Sequence, residues 1–272
     1  MFDTEKEGNF LLAIRAALEA GLEIIKVYNS DNFQVEIKAD NSPLTRADRA
    51  AHNKIMEYLQ QTSIPVLSEE GKTILWDERK QWKQLWIVDP LDGTKEFIKR
   101  NGDFTVNIAF VQDGIPIFGL VYLPVEKTLY MGLKDKGAFK IKNITTFESI
   151  SVDEWDRFAI RLPDYQDNRP FTVVASLSHL SPETQEFIDE LKIKHHDLQL
   201  FSRGSSLKLC AVAEGSADVY PRFAPTMEWD TAAGQALVEA AGGKVFQLNG
   251  EPLRYNRKDL LNPFFIALLK ES

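Results

Sequence analysis

The chain has 272 residues, 44% of them hydrophobic, enough for a sizeable core in one large domain or two lobes. Its net charge is −8, without a basic block or aromatic-basic stripe, which argues against binding along a nucleic-acid backbone. Cys210 is the sole cysteine, so internal disulfides are excluded, and no apolar run approaches the ~20 residues that span a bilayer. With no basic-then-apolar leader at the N-terminus, the expectation is a cytoplasmic protein without a transmembrane segment.

In chain order, Leu11, Ile14, Leu18, Leu22 and Ile25 recur at spacings of three and four and predict a first amphipathic helix. Its polar face carries Glu19 and Glu23, which favours core packing over a membrane surface. Residues 38–45 read as a loop broken by Pro43, and Ala47, Ala51, Ile55 and Leu59 then predict a second helix. Pro65-Val66-Leu67 is a short strand ending in Ser68-Glu69-Glu70-Gly71. The apolar run 85–88 predicts a strand that empties into a tight acidic turn, with a helix starting from Gly93. Four short strands follow, at 105–111, 115–123, 128–133 and 138–141. Asp113-Gly114 between two of them is a strong hairpin signal, so this stretch reads as an antiparallel meander. Residues 142–170 are polar and irregular and read as the seam between two lobes. Beyond them, strands at 171–175, 198–201, 217–220 and 244–248 alternate with helices at 182–192, 205–214 and 229–241, and Gly242-Gly243 stops the last helix. The first half is therefore α+β and the second α/β.

The chemistry concentrates in Asp89-Pro90-Leu91-Asp92-Gly93-Thr94. Asp, Pro and Gly gather in turns for conformational reasons alone. Two carboxylates at a strand end also make a set of hard oxygen ligands of the kind Mg²⁺ takes, and Gly93 and Thr94 add N–H groups and a hydroxyl for a phosphate. Glu69 at the end of a strand and Asp230 at a helix start are two further carboxylates, each explicable alone as a solvated charge and a helix-dipole partner. Thr45 and Asp48 fit a capping box, yet Asp48 one turn into its helix could also face the site through Thr94. Cys210 reads as core, and His195-His196 as a solvated pair. No nucleophile elbow, metalloprotease helix or P-loop is present, so a covalent mechanism lacks support.

Taken together, Asp89-Pro-Leu-Asp92-Gly-Thr94, Glu69 in its Ser-Glu-Glu turn and Trp229-Asp230-x-x-Ala-Gly…Gly242-Gly243 resemble the inositol monophosphatase superfamily of Mg²⁺-dependent, lithium-sensitive phosphatases. Within it, Ser42-Pro-Leu-Thr-Arg-Ala-Asp48, Lys95-Glu-Phe97 and Arg203-Gly-Ser-Ser-Leu-Lys208…Val219-Tyr-Pro-Arg222 look like the CysQ-type 3′(2′),5′-bisphosphate nucleotidases. The resemblance spans residues 10 to 265. It implies a five-layered αβαβα sandwich, as a single catalytic domain of two lobes divided near residues 155 and 156. It also implies two or three Mg²⁺ ions held by Glu69, Asp89, Asp92, Asp230 and the Leu91 carbonyl. By the same resemblance, Asp48 and Thr94 activate the attacking water, and Gly93, Thr94, His179, Ser205, Lys208 and Arg222 hold the substrate. The implied reaction is hydrolysis of adenosine 3′,5′-bisphosphate (PAP) to AMP and phosphate, and of its sulfated analogue, in sulfur assimilation. Peripheral attachment to the inner membrane, known for some of the family, and the oligomeric state are left open. The rival readings are an inositol or sugar phosphate monoesterase with the same metal site, and a non-catalytic metal-binding domain.

Overall fold

The computed structural model describes residues 4–30, 33, 35–37, 43–146, 157–165, 169–175 and 181–269. The chain opens with α1 (Thr4–Tyr28), a two-strand pair β1 (Glu36–Ile37) and β2 (Pro43–Leu44), and α2 (Arg46–Leu59). Then come β3 (Val66–Ser68), α3 (Trp76–Arg79), β4 (Gln84–Asp92) and α4 (Thr94–Ile98). The predicted meander follows as β5 (Thr105–Gln112), β6 (Ile115–Leu123), β7 (Thr128–Leu133) and β8 (Gly137–Ile141), joined by β9 (Ile160–Leu162). The remainder runs β10 (Thr172–Ala175), α5 (Pro182–Lys194), β11 (Gln199–Ser202), α6 (Leu207–Glu214), β12 (Val219–Arg222), α7 (Glu228–Ala240), β13 (Lys244–Gln247) and β14 (Phe265–Leu268).

The elements form five layers. Helices α1 and α2 cover one face of a seven-stranded sheet of order β3-β4-β5-β6-β7-β8-β9, burying Phe10, Ile14, Ile55, Trp86 and Phe118. On its other face lie α6 and α7, which also meet a five-stranded sheet of order β11-β10-β12-β14-β13. Helix α5 closes the outer face of that second sheet through Val173, Ile188, Leu191 and Val219. Helices α1, α2 and α5 thus bury one stripe, whereas α6 and α7, between the two sheets, are buried around most of their circumference. The expected αβαβα sandwich is the observed fold.

Several details differ from expectation. Leu22 in the predicted stripe of α1 is 39% exposed. The helix instead turns Ala13, Ala16, Ala17 and Ala20 inward, because close packing favours its small-residue face. Pro43 belongs to β2, paired with Ile37, rather than to a plain loop. The polar stretch 142–170 contains β9, which extends the first sheet by pairing with β8. The C-terminal β14 inserts antiparallel between β12 and β13, so the second sheet is mixed. His195 is no solvated residue: its ring stacks on Phe171 at 3.8 Å between centroids, while His196 is exposed. Cys210 is buried in the central layer as expected, and burial pushes its thiol pKa well up. No helix among the described residues is long and apolar enough to cross a membrane.

Candidate active site

The site grows from an irregularity in β4. The strand does not stop at Val88 but continues to Asp92, with its register against β5 shifting between the Asp89–Asn107 and Asp92–Thr105 pairs. Pro90 lies in that gap and cannot donate to a ladder, which is where a central strand tolerates proline. Just across, the Glu69 N–H donates to the Val88 carbonyl at 3.1 Å, placing Glu69 beside Asp89 at the end of β3. Gly93 then turns the chain with φ of +96°, and a Cβ there would meet the Asp103 carbonyl at 3.0 Å, so glycine is needed on both counts.

Asp89 is buried, with Oδ1 accepting the Leu91 N–H at 3.1 Å. Its pKa is raised well above the ordinary carboxylate range, first by burial and then by Glu69, Asp92 and Asp230. Asp230, in the first turn of α7, accepts the Met227 N–H at 2.8 Å, and burial followed by Asp92 pushes its pKa up to about 8. Like charges held together in a dry site are a cost that a divalent cation removes. Among the described residues no group of three His, Cys, Asp or Glu is already drawn together as a finished cage. The donor set itself is hard oxygen throughout, with the Leu91 carbonyl beside it, and it fits Mg²⁺ chemically.

The Asp48 carboxylate makes the contacts expected of both readings considered for it. One oxygen, Oδ2, accepts the Thr45 N–H at 2.7 Å and the Thr45 hydroxyl, closing the capping box of α2. The other, Oδ1, accepts the Thr94 hydroxyl at 3.1 Å. Burial raises the Asp48 pKa, against the opposing hydrogen bonds from Thr45. The Leu91 carbonyl is the alternative acceptor for Thr94, at 3.4 Å.

A cavity of about 150 Å³ adjoins the carboxylates, with Asp92 and Asp230 on one side and Ser205, Lys208, Tyr220 and Arg222 on the other. One expectation needs correction here. Ser205 is not at a helix N-terminus: α6 begins at Leu207, and Ser205 stands before it with φ of +40° and a buried hydroxyl unpartnered among the described residues. Lys208 is one of the residues that the resemblance assigns to the substrate. It lies inside α6, buried, donating to the Ser205 and Arg203 carbonyls at 2.7 and 3.3 Å, and burial brings its pKa down to about 8. Arg222 ends β12, donates to the Pro225 carbonyl at 3.0 Å, and keeps a buried Nε without a hydrogen-bond partner among the described residues. His179 and Ser42 lie outside the described residues.

Two side chains were missed in the sequence. Asn107, in β5, and Ser206, just before α6, both reach Asp92, whose Oδ2 accepts the Ser206 hydroxyl at 2.7 Å and Asn107 Nδ2 at 3.3 Å. The available signal was the lone amide in Thr105-Val-Asn107-Ile-Ala, since a buried amide in an apolar strand needs partners.

This arrangement is of a phosphoryl-transfer class, with an acidic wall and a basic one side by side. The inositol monophosphatase family matches residues 9–266, and the chain belongs to that family. It is 47% identical to the 3′(2′),5′-bisphosphate nucleotidase CysQ of Escherichia coli K12, over 92% of this chain and 95% of that protein. Among solved structures it is similar to CysQ from Bacteroides thetaiotaomicron, with 52% identity, coverage of 97% and 98%, and a TM-score of 0.90. It is also similar to the extragenic suppressor protein SuhB of Bartonella henselae, with 25% identity, coverage of 96% and 93%, and a TM-score of 0.71.

Proposed function

We propose that this protein is a metal-dependent 3′(2′),5′-bisphosphate nucleotidase that hydrolyses adenosine 3′,5′-bisphosphate to AMP and phosphate, in one catalytic domain of two lobes. The observation that carries the reading is the Thr94 hydroxyl donating to Asp48 Oδ1 beside the buried Asp89, supported by the 47% identity to the named nucleotidase. Glu69, Asp89, Asp92, Asp230 and the Leu91 carbonyl hold two or three Mg²⁺ ions. When bound, such ions supply an acidified water and charge stabilisation for the phosphoryl group. Thr94 gives its proton to Asp48 Oδ1, which leaves its oxygen lone pairs free to accept from the attacking water and aim it. Asp48, with its raised pKa, is suited to take a proton delivered through Thr94. The Gly93 and Thr94 N–H groups meet the reacting phosphate.

Arg222 and Ser205 offer unused donors on the basic wall and grip the non-reacting phosphate, with His179 as a further contact. Lys208 acts there mainly by fixing the strained Ser205. Cytoplasmic location and lithium sensitivity belong to the same reading. The test is phosphate release across nucleotide bisphosphates and inositol phosphates, with and without chelator. Adenosine 3′,5′-bisphosphate should exceed inositol 1-phosphate by at least ~10² in kcat/KM, given ~1.5–3 kcal/mol per charge-assisted contact. Arg222→Ala should raise KM for the bisphosphate and spare a simple monophosphate. Equal kcat/KM for bisphosphate and inositol 1-phosphate would reject the nucleotidase assignment, and chelator-resistant turnover would reject the metal.

A further inference from the structure

Asp92 is held by side chains from two different parts of the fold. Asn107 comes from β5, where it faces Asp89 in the register, and is 1% exposed. Ser206 comes from the start of α6 in the second half of the chain, 114 residues beyond Asp92, and is 3% exposed. The Thr105 hydroxyl donates to Asn107 Oδ1 at 2.9 Å, which fixes the direction of the amide. Asn107 Nδ2 then donates to Ser206 Oγ at 2.8 Å and, more weakly, to Asp92 Oδ2 at 3.3 Å. With its lone pair engaged, Ser206 has one proton to give. Its nearer acceptor is Asp92 Oδ2 at 2.7 Å, and the farther is the Asp230 main-chain carbonyl at 3.1 Å.

We infer that Thr105, Asn107 and Ser206 form a hydrogen-bond relay that sets the rotamer of Asp92, occupying Oδ2 so that Oδ1 is presented to a cation, and registers it against the start of α7. The inference rests on the metal reading of the site. Ser206 and Asn107 are positioning residues, since neither belongs to the set assigned to the cation. The directionality is dictated by donor inventory: an amide nitrogen only donates, a hydroxyl carries one proton, and an ionised carboxylate only accepts. Asn107 and Ser206 are buried, so removing either leaves the other's polar group short of a partner and frees Asp92 to turn. Partners one step removed from a metal typically change its affinity 10–100-fold when removed.

The test is direct cation binding, independent of turnover: Mn²⁺ titration of the full chain, followed by the electron paramagnetic resonance of free Mn²⁺. Ser206→Ala and Asn107→Leu should each raise the Mn²⁺ Kd by about 10–100-fold. Because the two act in series, the double variant should be close to the worse single one. Ser216→Ala, which removes a hydroxyl just beyond the other end of α6, should bind Mn²⁺ like the wild type. A purely structural contact would instead lower the denaturation midpoint of the cation-free protein and leave Kd unchanged. If Ser206→Ala does not fold, Asn107→Leu carries the test alone. An unchanged Kd in the folded variants, or losses that multiply in the double variant, would overturn the relay and leave the metal reading intact. A wild type that does not bind Mn²⁺ would overturn both.

Discussion

At the scale of single residues, the instructive case is Asp48, where the helix cap and the proposed catalytic pairing with Thr94 use different oxygens of one carboxylate. Capping boxes are common enough that Thr45 and Asp48 invite no further reading on their own. The second role depends on Thr94, 46 residues away in sequence. The two contributions separate experimentally. Thr94→Ala leaves the cap intact and should cut kcat by ~10²–10⁴, the usual range for general-base assistance, without moving the denaturation midpoint. Asp48→Asn should show a similar loss of kcat together with a stability cost of about 1 kcal/mol from the weakened cap. Because the pair acts as a unit, the double variant should be little slower than either single one. Steady-state kinetics alongside urea titration checks both, and multiplicative losses in kcat would rule out a shared role.

At the scale of elements, the position of Asp230 is a matter of how closely α7 can approach the first sheet. The approach is made at two glycines. A Cβ on Gly132 of β7 would lie 2.5 Å from Leu237 Cα and 2.7 Å from the Ala236 carbonyl, and one on Gly119 of β6 would lie 2.4 Å from the Ala233 carbonyl. These are backbone atoms of a helix that cannot step aside, and Ala232, Ala233 and Ala236 continue the close contact. Gly132→Ala should therefore push α7 outward, destabilising the protein by about 1–3 kcal/mol, the usual range for overpacking. Since α7 carries Asp230 in its first turn, the same substitution should raise the Mg²⁺ concentration needed for half-maximal activity. A variant with the wild-type denaturation midpoint and Mg²⁺ dependence would show that the layer spacing has slack.

At the scale of the whole molecule, the buried acids make stability depend on pH and on cations together. Asp89, Asp230, Asp48 and Glu228 all have raised pKa values, chiefly through burial, with Glu228 reaching about 7 and Asp230 about 8. Their unfolded values lie near ~4, so between about pH 4 and 8 the native state binds more protons than the unfolded chain. The slope of unfolding free energy with pH is then negative, and the cation-free protein should lose stability as pH rises through that window. Burial lowers the pKa of His52, which opposes the trend only below its ordinary 6.5, and Lys208 acts only above about 8. The urea midpoint of chelator-treated protein should accordingly be higher at pH 6.5 than at pH 8. Saturating Mg²⁺ should flatten the difference, because bound cation favours the ionised carboxylates. A midpoint that rises with pH in chelator would contradict the electrostatic account of the site.

Much of this molecule was determined locally and could be read as such. The stripe Ala47, Ala51, Ile55 and Leu59, fully buried in α2, and the Asp113-Gly114 hairpin are short-range facts, written in a repeat of four and a two-residue turn. The acidic run 89–94, whose pattern carried the family resemblance, likewise lies within a few consecutive residues. What the tertiary structure decided are relations between distant segments, on which periodicity is silent. Whether β4 stopped at Val88 or ran on to Asp92 was settled by its pairing with β5. Strand β14 is defined by its antiparallel pairing with β12 on one side and β13 on the other. That Lys208 is buried against the Ser205 carbonyl, and that Ser206 is a partner of Asp92, followed only from laying α6 against the first sheet. Local patterns specify which face of an element is apolar, whereas hydrogen bonds between buried polar groups form only after the layers meet, so the carboxylates were legible in the sequence and their supporting partners were not.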